Sequence, residues 1–571
     1  EVLTVYQSLE NLSIERRFVT LTDRQVHYRI SGEGPPLLLL HQSPTSSAEM
    51  ATTIEYFADE FTVIAPDTPG FGLSDYRDGT PSDITIYAQM AKEFIDALGL
   101  SELYIYGFHT GAIIGVEMAR LYPDLCKVVV VNGLWVADKD EVDLVLQHYT
   151  KWYEPTPEGS QMPWIWSRLR DQLIFFPWFL KEEDYRLSLD LPEPKMKQPF
   201  VLDLLRTTEE AQTAYRAAFL YPSKERVKEI KTPTFLLNYQ GDPIGNHPQR
   251  LEVVPDCVEI ELLEDPKAVE ARAREIFKKF PPAKATIEPQ AFVMTEKIKR
   301  PKGFVHTNFG PVFYAQEMDR SKMDAQTDKS VVFLHDFGAS SNATIEISKC
   351  CKGSSRRLFL DLPGHGETGM TYLEDYLPNT MATMLADGLK QLKLGKIHVF
   401  SMGMSSSIAL ELSLIDSLQV KQLSFIDPWC PNATEIDSMR DYYAPDLNPS
   451  KYGEHLMRAW YFARDGELYF PWYDAKNANA LKREPEIDPE ATHRRAVDAL
   501  KAGEELKRLA LDLIGYDVAG NLQDIPQNTK IYAWSGNGRE SFAEWIHGAI
   551  SGSKLYYLPE SKSQWSINLS D

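Results

Sequence analysis

The chain repeats its own motifs at an offset of 294 residues, and this repeat constrains the fold more than any other feature. His41 recurs as His335, and the run from Asp67 to Gly70 recurs from Asp361 to Gly364. Solenoid repeats have periods of about 20–50 residues, so an offset this long indicates a duplicated domain. A chain of 571 residues is also longer than one ordinary hydrophobic core supports.

The repeat predicts two domains of the same design. We place the first domain at residues 1–285, a linker at 286–300 and the second domain at 301–571. Within each domain, amphipathic segments rich in Trp, Tyr and Phe predict an inserted helical cap, at about 135–225 and about 430–522. The oligomeric state is left open by the sequence, and the duplication allows an intramolecular pseudo-dimer.

Apolar strands alternate with helices in both halves. Pro36 to Leu40 is a continuous apolar run, and Leu103 to Tyr106 precedes a helix from Ala112 to Leu121. Such runs are typical of strands that are buried on both faces. The fold class is therefore α/β, with two tandem domains that each hold a mostly parallel sheet flanked by helices.

Composition excludes several classes of partner. The net charge is -22, which argues against nucleic acid and anionic membranes because both need basic patches. No apolar run is long enough to span a bilayer. The five cysteines lack metal-ligand spacing, so we expect a reducing cytoplasmic location, no metal and no cofactor.

Three motifs follow one another in each half. An apolar strand ends in a loop that begins at His41 or His335, an Asp-x-Pro-Gly-x-Gly turn comes next, and a strand-turn-helix with small flanking residues follows. This order resembles the capped branch of the α/β-hydrolase superfamily. The loop from His41 to Ser47 is similar to that of haloalkane dehalogenases and epoxide hydrolases. The resemblance implies a nucleophile at the centre of the strand-turn-helix, called the elbow, and an oxyanion hole beside it.

Both elbows lack the implied nucleophile, because their centres are His109 and Gly403. Gly107 and Gly111 keep the small residues that a tight elbow needs. Ser401 occupies the first small position of the second elbow, so the register disfavours it as a nucleophile. His109 is predicted to act as a general base, with a degenerate, pocket-filling side chain as the alternative.

A catalytic imidazole needs an acid that orients it. The resemblance implies an acid after a late strand, where Asp242 lies. Glu264 and Asp265 follow the last strand and form a second candidate pair, although they could instead cap the helix that begins at Pro266. His247 could enter the same pocket or be an ordinary loop residue.

The remaining predicted site residues are one group in each domain. The first group is expected to hold an oxyanion through backbone N–H groups and to line an apolar pocket, with cap core as the alternative for the tryptophans: His41, Gln42, Ser43, Thr110, Trp135, Trp166 and Trp178. The oxyanion donors within this group are the N–H groups of Gln42 and Thr110. The second group forms a vestigial pocket: Asp336, Gly403, Met404 and Asp427.

Three functions stay open at this stage. The first is an enzyme that acts on a small apolar carbonyl compound (an ester, a lactone or a cleavable C–C bond) with His109 as its base. The second is a lyase or cyclase on the same scaffold, and the third is an inert binding or scaffold protein. In each case the expected partner is a small apolar organic molecule, and the second domain is predicted to be inactive.

Overall fold

The chain divides into two compact units. The structure, a computed structural model, describes residues 14–281, 298, 300–318, 329–353, 356–517, 522, 525–526 and 528–569. The first unit takes in residues up to 154 and 164–299, and the second takes in 155–163 and 300 onward. Across the described residues, no helix is long and apolar enough to cross a membrane.

The first unit is built on an eight-stranded sheet. Its strands are β1 (Glu15–Thr20), β2 (Gln25–Ser31), β3 (Pro36–Leu40), β4 (Thr62–Pro66), β5 (Leu103–Phe108), β6 (Cys126–Asn132), β7 (Thr234–Tyr239) and β8 (Val258–Leu263). They lie in the order β1-β2-β4-β3-β5-β6-β7-β8. The β1–β2 and β2–β4 pairs are antiparallel, and the pairs from β4 to β8 are parallel.

Nine helices accompany this sheet within the described part of the first half: α1 (Ala51–Ala58), α2 (Ile84–Ala97), α3 (Thr110–Leu121), α4 (Lys139–His148), α5 (Gln161–Gln172), α6 (Pro194–Arg206), α7 (Gln212–Leu220), α8 (Ser223–Arg226) and α9 (Pro266–Lys278). The sheet strands β3, β5 and β6 are almost wholly buried. This burial explains their continuous apolar sequence.

The second unit has a sheet of the same design. Its strands are β9 (Lys302–Thr307), β10 (Gly310–Met318), β11 (Lys329–Leu334), β13 (Arg356–Leu360), β14 (Lys396–Met402), β15 (Val420–Ile426), β16 (Thr529–Trp534) and β17 (Lys554–Leu558). Read from β9, the order is β9-β10-β13-β11-β14-β15-β16-β17, which reproduces the first sheet strand for strand.

The helices of the second unit are α10 (Ser341–Ser348), α11 (Pro378–Gln391), α12 (Ser405–Ser413), α13 (Ala433–Met439), α14 (Glu454–Asp465), α15 (Pro489–Ala502), α16 (Glu505–Ile514) and α17 (Glu540–Ala549). Two further strands, β12 (Cys351–Lys352) and β18 (Ile567–Asn568), form a separate parallel pair. Trp565, Ile567 and Leu569 are buried in the core of this unit.

The predicted fold class is confirmed by these two mostly parallel sheets. β3 has the predicted bounds, whereas the antiparallel strands β1 and β2 were not predicted from the sequence. The boundaries of the domains and caps stay predictions. The linker at 286–300 lies outside the described residues except at 298 and 300.

Close backbone contact fixes the position of the elbow in the first unit. A side-chain carbon on Gly111 would lie 2.0 Å from the carbonyl oxygen of Leu40, and one on Gly107 would lie 2.3 Å from that of Gly111. In the second unit the residue that corresponds to Gly111 is Ser405. Its hydroxyl donates a hydrogen bond of 3.2 Å to the carbonyl of Leu334.

Gly111→Ala is therefore expected to destabilise the protein by about 3 kcal/mol, because the added methyl group overlaps a backbone oxygen that cannot move aside. Gly115→Ala on the same helix is the matched control. Its methyl group would meet only side-chain carbons, at 3.3 to 3.5 Å, and we expect a change within about 1 kcal/mol. Chemical denaturation followed by circular dichroism measures both, and equal losses would contradict the proposed contact.

Candidate functional site

His109 occupies the centre of the first elbow, between β5 and α3. Its backbone has φ 46° and ψ −106°, a left-handed conformation that is uncommon for a residue with a side chain. Its N–H donates to the carbonyl of Asn132 at 2.9 Å. The side chain is 29% exposed, so the strained turn presents an accessible imidazole.

Asp242 holds one side of the imidazole. It follows β7, is buried, and its Oδ2 lies 3.0 Å from Nε2 of His109. Its Oδ1 accepts the N–H of Ile244 at 2.9 Å. Burial acts to raise the pKa of Asp242, but the charge and hydrogen bond of His109 outweigh it and leave the pKa below its usual value. Asp242 is therefore an anchored carboxylate.

Gln42 holds the other side, and Glu49 orients Gln42. Oε1 of Gln42 lies 3.1 Å from Nδ1 of His109. The backbone N–H of Gln42 donates to Oε1 of Glu49 at 2.8 Å, and Nε2 of Gln42 donates to Oε2 at 2.9 Å. Burial raises the pKa of Glu49 to about 7. A chain of hydrogen bonds thus runs from Glu49 through Gln42 and His109 to Asp242.

This chain engages both ring nitrogens of His109. Each nitrogen faces an oxygen atom that can accept a hydrogen bond from a ring N–H. The arrangement therefore suits a ring that donates hydrogen bonds, and the role of general base stays a prediction.

Of the two predicted oxyanion donors, the backbone N–H of Gln42 is already bound to Glu49. Thr110 accepts a hydrogen bond from the Ser43 N–H through Oγ1 at 3.1 Å. The hydroxyl of Ser43 is buried and has no hydrogen-bond partner among the described residues. The Thr110 N–H, at the start of α3, stays a predicted oxyanion donor.

His41 supports the loop that contains Gln42. It is buried, its Nδ1 lies 2.7 Å from the carbonyl of Gln42, and its Nε2 accepts the N–H of Thr68 at 2.8 Å. His335 makes the equivalent contacts to Asp336 and Leu362 in the second unit. Desolvation lowers the pKa of both histidines, so each is a neutral ring that connects two backbone segments.

Glu264 and Asp265, the second predicted pair of catalytic acids, lie between β8 and α9. Both are exposed, and Asp265 caps helix α9 by accepting the N–H of Ala268 at 2.8 Å. This is the capping role that their position before Pro266 allowed. His247 is buried and accepts the N–H of Val136 at 3.3 Å through Nδ1, so it serves the loop and not the imidazole.

The three tryptophans lie in the packing of the first unit. Trp135 meets the ring of Phe219 edge to face at 5.5 Å between centroids, and that of His247 at a tilt at 4.9 Å. Trp166 is buried beneath Lys197, and Trp178 lies against Arg168. These contacts are of the kind that the cap-core alternative expects, and the ligand-lining role stays a prediction.

In the second unit, a carboxylate takes the position beside the elbow. Oδ1 of Asp336 accepts the N–H groups of Met404 and Phe337, both at 2.8 Å. Its Oδ2 accepts from Arg539 at 3.2 Å. A side-chain carbon on Gly403 would lie 2.0 Å from this oxygen. The carboxylate of Asp336 can therefore lie here only because the residue at the elbow centre, Gly403, has no side chain.

Asp427 lies behind the Asp336–Arg539 pair, and both of its carboxylate oxygens accept hydrogen bonds. Its Oδ1 accepts the N–H of Trp534 at 2.8 Å, and its Oδ2 accepts from Nδ2 of Asn537 at 2.5 Å. Burial raises its pKa to about 6. Asn537 is also bound by Nε of Arg483 at 2.6 Å, so Asp427 belongs to a buried hydrogen-bond network.

In each unit a cavity borders the loop that follows β3 or β11. A cavity of about 20 Å³ lies against Pro44 and cap residues in the first unit, with room for about one water molecule. A cavity of about 1270 Å³ in the second unit is lined in part by Asp336 and Arg539. The larger cavity therefore lies in the unit that the sequence predicted to be inactive. Among the described residues, no group of three or more His, Cys, Asp or Glu could hold a metal ion.

Sequence reasoning missed Glu49, Gly133 and Arg539. Gly133 leaves room for the imidazole, since a side-chain carbon there would lie 2.2 Å from Cδ2 of His109. The comparison of the two halves could have revealed Gly133, because this glycine corresponds to an aspartate, Asp427, in the second half. Glu49 and Arg539 correspond to Ala343 and Gly245, so the comparison of the two halves could not reveal them.

Glu49→Gln is expected to change the pH dependence of stability. Because the folded-state pKa of about 7 exceeds the usual glutamate value of 4.5, the folded state retains the proton to higher pH than the unfolded state. Glu49 therefore lowers the free energy of unfolding as pH rises from 4.5 to 7, by on the order of 2 kcal/mol.

Denaturation at several pH values measures this effect, and the variant should lack that part of the decline. Exposed Glu33→Gln is the matched control and should retain it. A parallel pH profile for Glu49→Gln and the wild type would contradict the assignment.

Comparison with known proteins agrees with this architecture. Residues 35–159 match the family model of the alpha/beta hydrolase fold. Haloalkane dehalogenase 2 of Mycobacterium tuberculosis is 35% identical over 121 residues, which is 21% of this chain and 42% of that protein. Fluoroacetate dehalogenase of Burkholderia is 29% identical over 25% of this chain and 50% of that protein.

A third relative has a different named activity. The cis-3-alkyl-4-alkyloxetan-2-one decarboxylase of Shewanella oneidensis is 28% identical over 21% of this chain and 39% of that protein. The chain thus spans half or less of the length of each of these relatives. The family match, these relatives and the two eight-stranded sheets together identify the chain as a protein of the α/β-hydrolase fold, with that fold present in both units.

Proposed function

We propose that the first unit is an acid–base enzyme that acts on a small apolar carbonyl compound, such as an ester or lactone, without a covalent intermediate. The observation that carries the proposal is the position of His109, between the anchored carboxylate of Asp242 at 3.0 Å and the amide oxygen of Gln42 at 3.1 Å. Asp242 fixes the ring and balances its charge, which is what a positioned general acid requires.

The substrate carbonyl would take the place of the Gln42 amide oxygen. That amide oxygen is itself a carbonyl oxygen bound to Nδ1 of His109, so the geometry is suited to a carbonyl acceptor. The Thr110 N–H at the start of α3 is the second donor to the same oxygen, since helix N-termini favour developing negative charge.

Hydrolysis of this substrate then needs no acyl-enzyme. Water adds to the carbonyl carbon while Nδ1 of His109 gives its proton to the carbonyl oxygen. When the adduct collapses, that proton returns to His109, and the leaving oxygen takes the proton of the attacking water. His109 is thus the proton donor in this proposal, where the sequence alone suggested a base.

His109→Ala is expected to lower kcat/KM by about 100-fold or more, which is the usual contribution of a general acid. Asp242→Asn should lower kcat with a smaller change in KM, because it alters the orientation of the ring. Turnover of ester, lactone and β-diketone panels measures both. His148→Ala, an exposed cap histidine, is the matched control and should retain activity.

Two further measurements separate the alternatives. Hydrolysis in ¹⁸O-labelled water should place one label in the product, whereas conversion without label would indicate a lyase or cyclase. A fluorophosphonate serine probe should leave the protein unlabelled, since Ser401 is fully buried within β14. Equal turnover by wild type and His109→Ala would remove His109 from the mechanism.

A further inference from the structure

The large cavity of the second unit ends at a site built for an oxyanion. Met404 and Phe337 both direct backbone N–H groups to one oxygen, at 2.8 Å each. Arg539 supplies a guanidinium 3.2 Å from the other oxygen of the same group. Two N–H donors and one fixed cation form a strong and directional binding site for a carboxylate.

The group that now fills this site belongs to the protein. Asp336 reaches it from the preceding loop and remains 27% exposed toward the cavity, while Arg539 is 16% exposed. The absence of a side chain on Gly403 creates the space that the carboxylate fills. Rotation of Asp336 about its own side-chain bonds would vacate both N–H groups and the guanidinium.

We propose that the second unit binds a small carboxylic acid with an apolar chain, and that its carboxylate replaces that of Asp336 on Arg539, Met404 and Phe337. The cavity volume of about 1270 Å³ exceeds the roughly 300–1,000 Å³ of typical ligand pockets. Aromatic side chains supply apolar lining near the anchor: Phe337, Tyr443, Phe462, Phe470 and Trp472.

Other charges of the lining are matched within the cavity wall. Arg483 pairs with Glu467 at 2.7 Å, and Lys562 pairs with Glu486 at 2.7 Å. Because these cations are paired, the cavity wall has little unpaired positive charge with which to bind a second anionic group. The site is therefore suited to a ligand with a single carboxylate, in competition with Asp336.

Octanoate titrated into the intact protein, followed by isothermal calorimetry, tests the proposal. Asp336→Ala removes the competing carboxylate and its repulsion, so octanoate should bind at least about 10-fold more tightly than to the wild type. Adding Arg539→Gln to that variant should weaken binding by about 10-fold or more, because the cation that holds the carboxylate is lost. Octan-1-ol, the matched uncharged probe, should gain nothing from Asp336→Ala.

The thermal unfolding midpoint of each variant establishes that it is folded before titration. If Asp336→Ala does not fold, Asp336→Asn removes the charge with almost no change in shape and should also strengthen octanoate binding. Equal binding of octanoate and octan-1-ol, no gain in either Asp336 variant, or binding that survives Arg539→Gln would overturn the proposal. These outcomes do not depend on turnover in the first unit.

Discussion

The organisation of both sites depends on how closely the helix after the elbow approaches the neighbouring strand. In the first unit this approach leaves no space for any side chain at Gly111, whose added carbon would overlap the Leu40 carbonyl at 2.0 Å. The close approach forces a sharp turn, and His109 therefore adopts a strained, left-handed backbone conformation. In return, the side chain at the elbow centre and the first N–H of the helix face the same small volume. What occupies that volume then decides what each unit can do.

The two units fill that volume with different side chains. The first unit has an imidazole at His109 and no side chain at Gly133, where a carbon would touch the ring. The second has no side chain at Gly403, where a carbon would lie 2.0 Å from the carboxylate of Asp336. Close packing allows one large group in this volume but not two. The loss of the elbow side chain in the second unit is therefore linked to a gained carboxylate nearby, and does not by itself indicate decay of the site.

Much of the fold was accessible from sequence because buried parallel strands and tight turns leave local patterns, as β3 and the glycines of the elbow do. The repeat extended those patterns to the second unit. The site was accessible only in part. His109 and Asp242 were predicted because the fold brings strand ends together, but the position of Gln42 beside His109 depends on Glu49, which binds both the backbone and the amide of Gln42. Such contacts between loop side chains have no periodicity, and Glu49 has no counterpart in the other half to reveal it.

Gln42 and Asp336 stand at the same position of the repeat, and each presents an oxygen to the reactive end of its own site. Gln42 places its amide oxygen 3.1 Å from Nδ1 of His109. Asp336 places a carboxylate on two N–H groups and Arg539. A protein group held in a binding site competes with any ligand for it, so affinity is reduced by the fraction of time that the site is occupied. The two proposed ligands, a neutral carbonyl compound in the first unit and a carboxylate in the second, each resemble the protein group that occupies this position.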